Sequence, residues 1–149
     1  MQHFSDTYLD LLRLNTDVHL PLVEKLIPIE FSHVARNTVE EYIQSLPTHT
    51  HIIGIHPGGS TTAPERFWST AHWVFLCIGL MVKYPNTLIL MTGTKLEKVA
   101  HTDILNALEH QERVVSTIGS IPTDLGTFAA LLTHMDAYIS NDSGPMHLA

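Results

Sequence analysis

The residues from Asn141 to His147, NDSGPMH, place an acid, a hydroxyl, a glycine, a proline and an imidazole side by side. An apolar stretch precedes them and the start of a helix follows. An acid and a hydroxyl at such a junction suit the holding of a polar ligand, because the first N–H groups of a helix point outward and favour anions. Gly144 permits close approach. Pro145 costs nothing in a first turn, where its N–H would be unpaired anyway, and His147 falls on that turn. A helix cap needs only one of Asp142, Ser143 or Gly144, so capping alone leaves the constellation unexplained.

Three further places carry groups of the same kind. Gly58 and Gly59 allow a backbone to turn its N–H groups toward phosphate, although a plain strand-to-loop turn accounts for them equally. Ser60, Thr61 and Thr62 add hydroxyls nearby, and Arg66 offers a forked cation suited to a diphosphate. Glu97 opens a helix after Gly93. It complements the helix dipole there or accepts from ribose hydroxyls; both readings stay open. Trp68 and Trp73 read as packing anchors between a helix and the sheet. Of the 11 histidines, His49 and His51 share one strand face, but no third ligand follows and there is no HExxH, so no metal site is expected.

These groups must be positioned by regular elements. SDTYLDLLRL has helical spacing, with Ser5 as a cap, and the proline-bearing stretch from Asn15 to Glu30 reads as a connector. Ser32 caps a helix that runs to Leu46, with Val39, Tyr42, Ile43 and Leu46 inward. HIIGIHP is a strand, Thr70 to Tyr84 an apolar helix, TLILM a second strand and Leu96 to His110 a helix. RVVST is a third strand, followed by a turn with Gly119 and Pro122. Thr123 to His134 is a helix and DAYIS a fourth strand. Strands alternating with crossover helices predict an α/β fold, a parallel Rossmann-like sheet with helices on both faces. Ligands bind such sheets beyond the carboxyl ends of the strands. Here those ends are HPGGS, MTGTKLE, STIGSIPTD and SNDSGPMH, which hold most of the glycines and hydroxyls of the second half.

Composition narrows the classes. The chain has 149 residues, 44% apolar, with a formal charge of −7. That suits a folded domain and gives no electrostatic reason to bind nucleic acid. The lone Cys77 lies in an apolar run and reads as a buried, inert thiol, in keeping with a reducing cytosol. No basic segment leads into an apolar one at the N-terminus, so no signal peptide is expected. The longest apolar run is too short for a membrane span of ~20 residues. The sequon Asn141-Asp142-Ser143 reads as a chance match.

IIGIHPGGS, ERFWSTAHWVFLCIGL, LILMTGT and above all ISNDSGPMHLA stand in the order seen in glycosyltransferase family nine, the lipopolysaccharide heptosyltransferase group. The likeness reaches back to YLDLLRL. The chain resembles the C-terminal half of such a protein. The resemblance implies the second domain of a GT-B glycosyltransferase, truncated at its C-terminus: residues 1–31 an interdomain helix and connector, 32–149 an incomplete nucleotide-sugar-binding domain. It implies inverting transfer of a heptose from a nucleotide sugar, typically ADP-heptose, to a lipopolysaccharide core acceptor held by a missing N-terminal domain. No cofactor or metal is implied. The setting is cytoplasmic, with peripheral inner-membrane association of the full-length protein. Carried over by position, Ser60, Thr61 and Arg66 contact the diphosphate, Glu97 the ribose and Thr123 the base, while Asp142, Ser143, Gly144 and His147 hold the sugar and phosphates. The family's lysine-x-tryptophan-proline reads Arg66-Phe67-Trp68-Ser69 here. No general base is assigned, since the missing domain normally supplies it, and the chain alone is expected to be inactive. A non-catalytic nucleotide-binding or interaction module is the alternative. A dehydrogenase is disfavoured by the absence of GxGxxG after the first strand.

Overall fold

The computed structural model describes residues 29–59, 67–109 and 111–149. The proposed N-terminal helix, most of the connector, and Ser60, Thr61 and Arg66 lie outside them. The elements in chain order are α1 (His33–Ser45), β1 (His51–His56), α2 (Thr70–Lys83), β2 (Thr87–Met91), a 3₁₀ turn (Lys95–Glu97) running into α3 (Lys98–Ala107), β3 (Val114–Ser116), α4 (Leu125–Leu132), β4 (Ala137–Ser140) and α5 (Gly144–Leu148).

All four strands are parallel, in the order β3-β2-β1-β4. The chain steps outward from β1 through β2 to β3, then returns to the other side of β1. That reversal puts a topological switch point between β1 and β4, where a crevice opens beyond their carboxyl ends.

The period of two along each strand sorts the core. Ile53, Ile55, Ile89, Met91 and Val114 pack with Trp73, Cys77 and Met81 of α2 and Ile104 of α3. Ile52, Leu88 and Leu90 pack on the opposite face with Ala35 and Val39 of α1 and Ala130 and Leu131 of α4. Helices therefore cover both faces, as expected. Every residue of β2 is buried, which is why its sequence is a continuous apolar run rather than an alternating one. Gly54 of β1 is required by packing: a Cβ there would strike the Met135 sulfur and the Tyr138 ring.

Helix boundaries follow from their caps. Ser32 accepts from the Ala35 N–H at 3.1 Å, the start read from the sequence. Ser69 caps α2 by accepting from the His72 N–H at 3.4 Å. Only the face with Trp73, Cys77 and Met81 is buried, and Phe75 and Val82 on the outer side are exposed. Helix α3 stops short of His110 because Glu109 turns left-handed, with φ +53°. The helix expected from Thr123 begins at Leu125. Asp124 caps it instead, taking the Thr127 N–H at 2.9 Å and the Thr127 hydroxyl at 2.6 Å. Trp73 is a buried anchor, whereas Trp68 is about half exposed and rests against it at 5.2 Å between ring centroids.

Candidate functional site

The segments that leave the four strands converge over the switch point. Asn141, the first residue after β4, fastens them. Its amide donates to the carbonyls of Pro57 at 2.9 Å and Gly58 at 3.1 Å, and its Oδ1 accepts from the Trp68 N–H at 3.2 Å. One buried side chain thus satisfies three backbone groups on either side of residues 60–66. With both amide hydrogens engaged in the interior, Asn141 is no glycosylation acceptor.

Two adjoining cavities open above this fastening. The first, about 270 Å³, is lined by Ile121, Pro122, Leu125, Phe128 and Leu131 with the hydroxyl residues Thr92, Thr94, Thr117 and Thr123. Leu125 is exposed and forms part of this wall. The second, about 370 Å³, is lined by Gly59, Leu96, Glu97, Ser143 and Gly144. His56, Thr94 and Pro145 belong to both. The first recess is walled by bulky aliphatic and aromatic side chains and the second carries the Glu97 carboxylate and the Ser143 hydroxyl, a pairing that fits a ligand with a flat apolar end and a hydroxylated end. Among the described residues no lysine or arginine lines either cavity.

His56 ends β1 and is 6% exposed. Its Nδ1 lies 2.8 Å from the Thr92 carbonyl. A carbonyl oxygen only accepts, so Nδ1 carries the proton and Nε2 is an acceptor. The Thr92 hydroxyl is held in turn by the Ile55 carbonyl at 3.3 Å and the Tyr138 hydroxyl at 2.8 Å. Burial pushes the His56 imidazole below its ordinary range, and the Thr92 carbonyl and the Glu97 carboxylate only partly offset that. Behind it, His101 bonds the Ser116 hydroxyl at 2.7 Å. Burial drives His101 down to about 4, so both rings are neutral at pH 7.

The expected site residues fall as follows. Glu97 and Thr94 form a complete capping box: Oε2 of Glu97 accepts from the Thr94 N–H at 2.7 Å and the Thr94 hydroxyl at 2.8 Å. The structural role of Glu97 is therefore realised, while the residue also lines the second cavity. Ser143 stands at the N-cap of α5 without a capping bond. Its hydroxyl instead meets that of Ser140 at 3.0 Å beside the second cavity. Gly144 is open on its Cβ side, with nothing within 4 Å. Gly58 and Gly59 are needed first for packing: a Cβ on Gly58 would come within 2.6 Å of Glu97 Cγ, and one on Gly59 would strike the Phe67 ring. Thr123 lines the apolar cavity. His147 is exposed and lines a neighbouring recess of about 440 Å³ with Leu125, Phe128, Gly144, Pro145 and Leu148. Asp142 is exposed and lines none of these three recesses. His51 faces Asp136 at 3.5 Å and His49 bonds the Pro47 carbonyl at 2.7 Å. Cys77 is fully buried, its thiol raised by burial to about 11.

Sequence reasoning missed Asn141 and His56. A signal existed for His56, a polar residue at the carboxyl end of a central strand. For Asn141 there was only its place directly after β4.

The family description "Glycosyltransferase family 9 (heptosyltransferase)" matches residues 1–149. The chain belongs to glycosyltransferase family 9. Two lipooligosaccharide heptosyltransferase 2 proteins of Campylobacter jejuni subsp. jejuni, from serotypes O:2 and O:6, are 28% and 26% identical to it over 98 residues. That stretch is 66% of this chain and 30% of each relative. The solved E. coli ADP-heptose LPS heptosyltransferase II superposes with a TM-score of 0.70 at 26% identity, over 87% of this chain and 38% of that one. A family 9 protein from Veillonella parvula superposes with a TM-score of 0.73 at 21% identity, over 99% of this chain and 40% of that one, and shares the fold. This family 9 chain therefore spans less than half the length of the relatives it matches, and its α/β architecture is of the GT-B type. Among its described residues no helix is long and apolar enough to cross a membrane.

Proposed function

We propose that this chain carries the nucleotide-sugar donor site of a heptose-transferring glycosyltransferase. The observation that carries the reading is the pair of adjoining cavities at the switch point, one walled by aliphatic and aromatic side chains and one carrying a carboxylate and a hydroxyl, in a chain of this family. The base enters the recess of Ile121, Pro122, Thr123, Leu125 and Phe128. The ribose lies near Glu97. The diphosphate and sugar extend along Gly59, Ser143 and Gly144 toward Asp142 and His147. Ser60, Thr61 and Arg66 approach the diphosphate from their loop, and Arg66 supplies the cation that the described walls lack. ADP-heptose is the donor and a lipopolysaccharide core saccharide the acceptor, by likeness to the relatives named above. The acceptor and the general base belong to the other part of the full-length protein, which works in the cytoplasm and associates peripherally with the inner membrane. The chain alone then binds donor without turnover.

Calorimetric titration of the chain with ADP, UDP and GDP tests this. Saturable binding of one nucleotide, weakened by Asp142→Ala and by Arg66→Ala, is the expected result. A folded chain that binds none of the three contradicts the donor-site reading. Transfer by the purified chain alone contradicts the assignment of the base to the rest of the protein.

A further inference from the structure

His56 and Glu97 lie on different strand exits, yet they meet at one point. A Cβ added to Gly58 would lie 2.8 Å from Nε2 of His56 and 2.6 Å from Cγ of Glu97. Only the absence of a side chain at Gly58 lets the two groups converge. Each brings one acceptor. Nε2 is the deprotonated nitrogen of His56, because Nδ1–H is committed to the Thr92 carbonyl. On Glu97 the two bonds of the capping box both fall on Oε2, which leaves Oε1.

We propose that His56 and Glu97 together form a paired acceptor for a vicinal diol, the ribose of the bound nucleotide, with His56 as a positioning residue of the site. The proposal rests on the donor-site reading and adds His56 to it. Two neighbouring acceptors and no donor repel phosphate at neutral pH and suit two adjacent hydroxyls. Their position agrees with the order of a nucleotide. His56 lines both cavities, so the diol falls between the apolar recess that takes the base and the Ser143–Gly144 wall that takes the phosphates.

The groups around the ring fix the sign of its pH dependence. Among the described residues these are Glu97 beside the turn, His101 on α3, and Tyr138 on β4 acting through the Thr92 hydroxyl. His101 stays neutral down to about 4, so it does not titrate between pH 7.5 and 5.5. Burial holds His56 below its ordinary range, so Nε2 is an acceptor at pH 7; protonation on acidification below that range converts it to a donor and weakens binding of the diol.

The experiment uses the 149-residue chain and whichever of ADP, UDP and GDP it binds best. Affinities are measured for that nucleotide, for its 2′-deoxy and 3′-deoxy analogues and for inorganic pyrophosphate. The variants are His56→Asn, which keeps an N–H for Thr92 and removes the Nε2 acceptor, and His56→Gln, which restores an acceptor near it. Each deoxy analogue binds wild type about tenfold more weakly, the scale of one hydrogen bond. His56→Asn costs about tenfold for the nucleotide, abolishes one of the two deoxy penalties and leaves pyrophosphate unchanged; His56→Gln recovers part of the loss. On acidification below the ordinary imidazole range, nucleotide affinity falls further in wild type than in His56→Asn. Equal binding by wild type and a folded His56→Asn, or affinity that rises as pH falls, overturns the proposal. If the variant unfolds, wild-type affinity that ignores both deoxy changes overturns it. A wild-type chain that binds none of the three nucleotides overturns the donor-site reading and this inference with it.

Discussion

Asn141→Asp changes one atom in the fastening of the site and should cost far more than an exposed substitution. The carboxylate keeps the shape and still accepts from the Trp68 N–H. It loses both donors, and an anionic oxygen then stands where the amide met the Pro57 carbonyl at 2.9 Å and the Gly58 carbonyl at 3.1 Å. Two lost hydrogen bonds contribute about 1 kcal/mol each, and two unpaired carbonyls beside a desolvated charge add about 1–2 kcal/mol. The expected loss at pH 7.5 is therefore about 3–4 kcal/mol, a large share of the ~5–15 kcal/mol that holds a domain folded. Protonation restores one O–H donor. Burial raises the folded-state pKa of the new carboxyl, so the penalty is full above that raised value and shrinks as pH falls through it. Urea denaturation followed by tryptophan fluorescence, run on wild type and variant at pH 7.5 and 5, measures the difference. A penalty under about 0.5 kcal/mol at pH 7.5, the scale of a surface change, or one that grows toward pH 5, refutes the reasoning.

Three other outcomes follow from the same geometry. His101 is neutral when folded down to about 4 and takes a proton near 6.5 when unfolded. Stability therefore rises with pH between those values, by roughly 2–4 kcal/mol, and His101→Gln flattens that slope in urea titrations. Cys77 is fully buried with its thiol raised to about 11, so a thiol reagent at pH 8 labels it only at the rate of unfolding; fast labelling of native protein contradicts its placement. Tyr138→Phe removes the 2.8 Å bond to the Thr92 hydroxyl and should cost about 1 kcal/mol in thermal or urea unfolding; since burial holds Tyr138 near 12, the difference in absorbance between wild type and variant shows no phenol titration below about pH 11.

The two central strands β1 and β2 were legible because burial on both faces writes itself as apolar runs. TLILM is β2 residue for residue. That Glu97 stands at a helix start was legible too, but not the capping box it closes with Thr94. The end of the sheet at which the two cavities open followed from topology. What could not be read was the long-range wiring. Asn141 reaches partners 84, 83 and 73 residues away, and no local pattern records that. Nor could the sequence tell which polar residue caps and which is left over. Glu97 is spent on its cap, whereas Ser143 sits at an N-cap and does not use it. The likeness to a family pointed to Glu97, Thr123, Ser143 and Gly144, which the structure gathers around two cavities. It did not point to His56, whose position depends on Gly58 and the Thr92 carbonyl.

The most direct test of the donor cleft is an amide NMR titration of the ¹⁵N-labelled chain with ADP, UDP and GDP. The account predicts saturable shifts for one nucleotide, concentrated at Gly93, Thr94, Thr123, Ser143 and Gly144, with little change at the opposite ends of the strands near Thr50 and Thr87. Shifts centred on those opposite ends, or no shifts in a folded chain with any of the three, would contradict it.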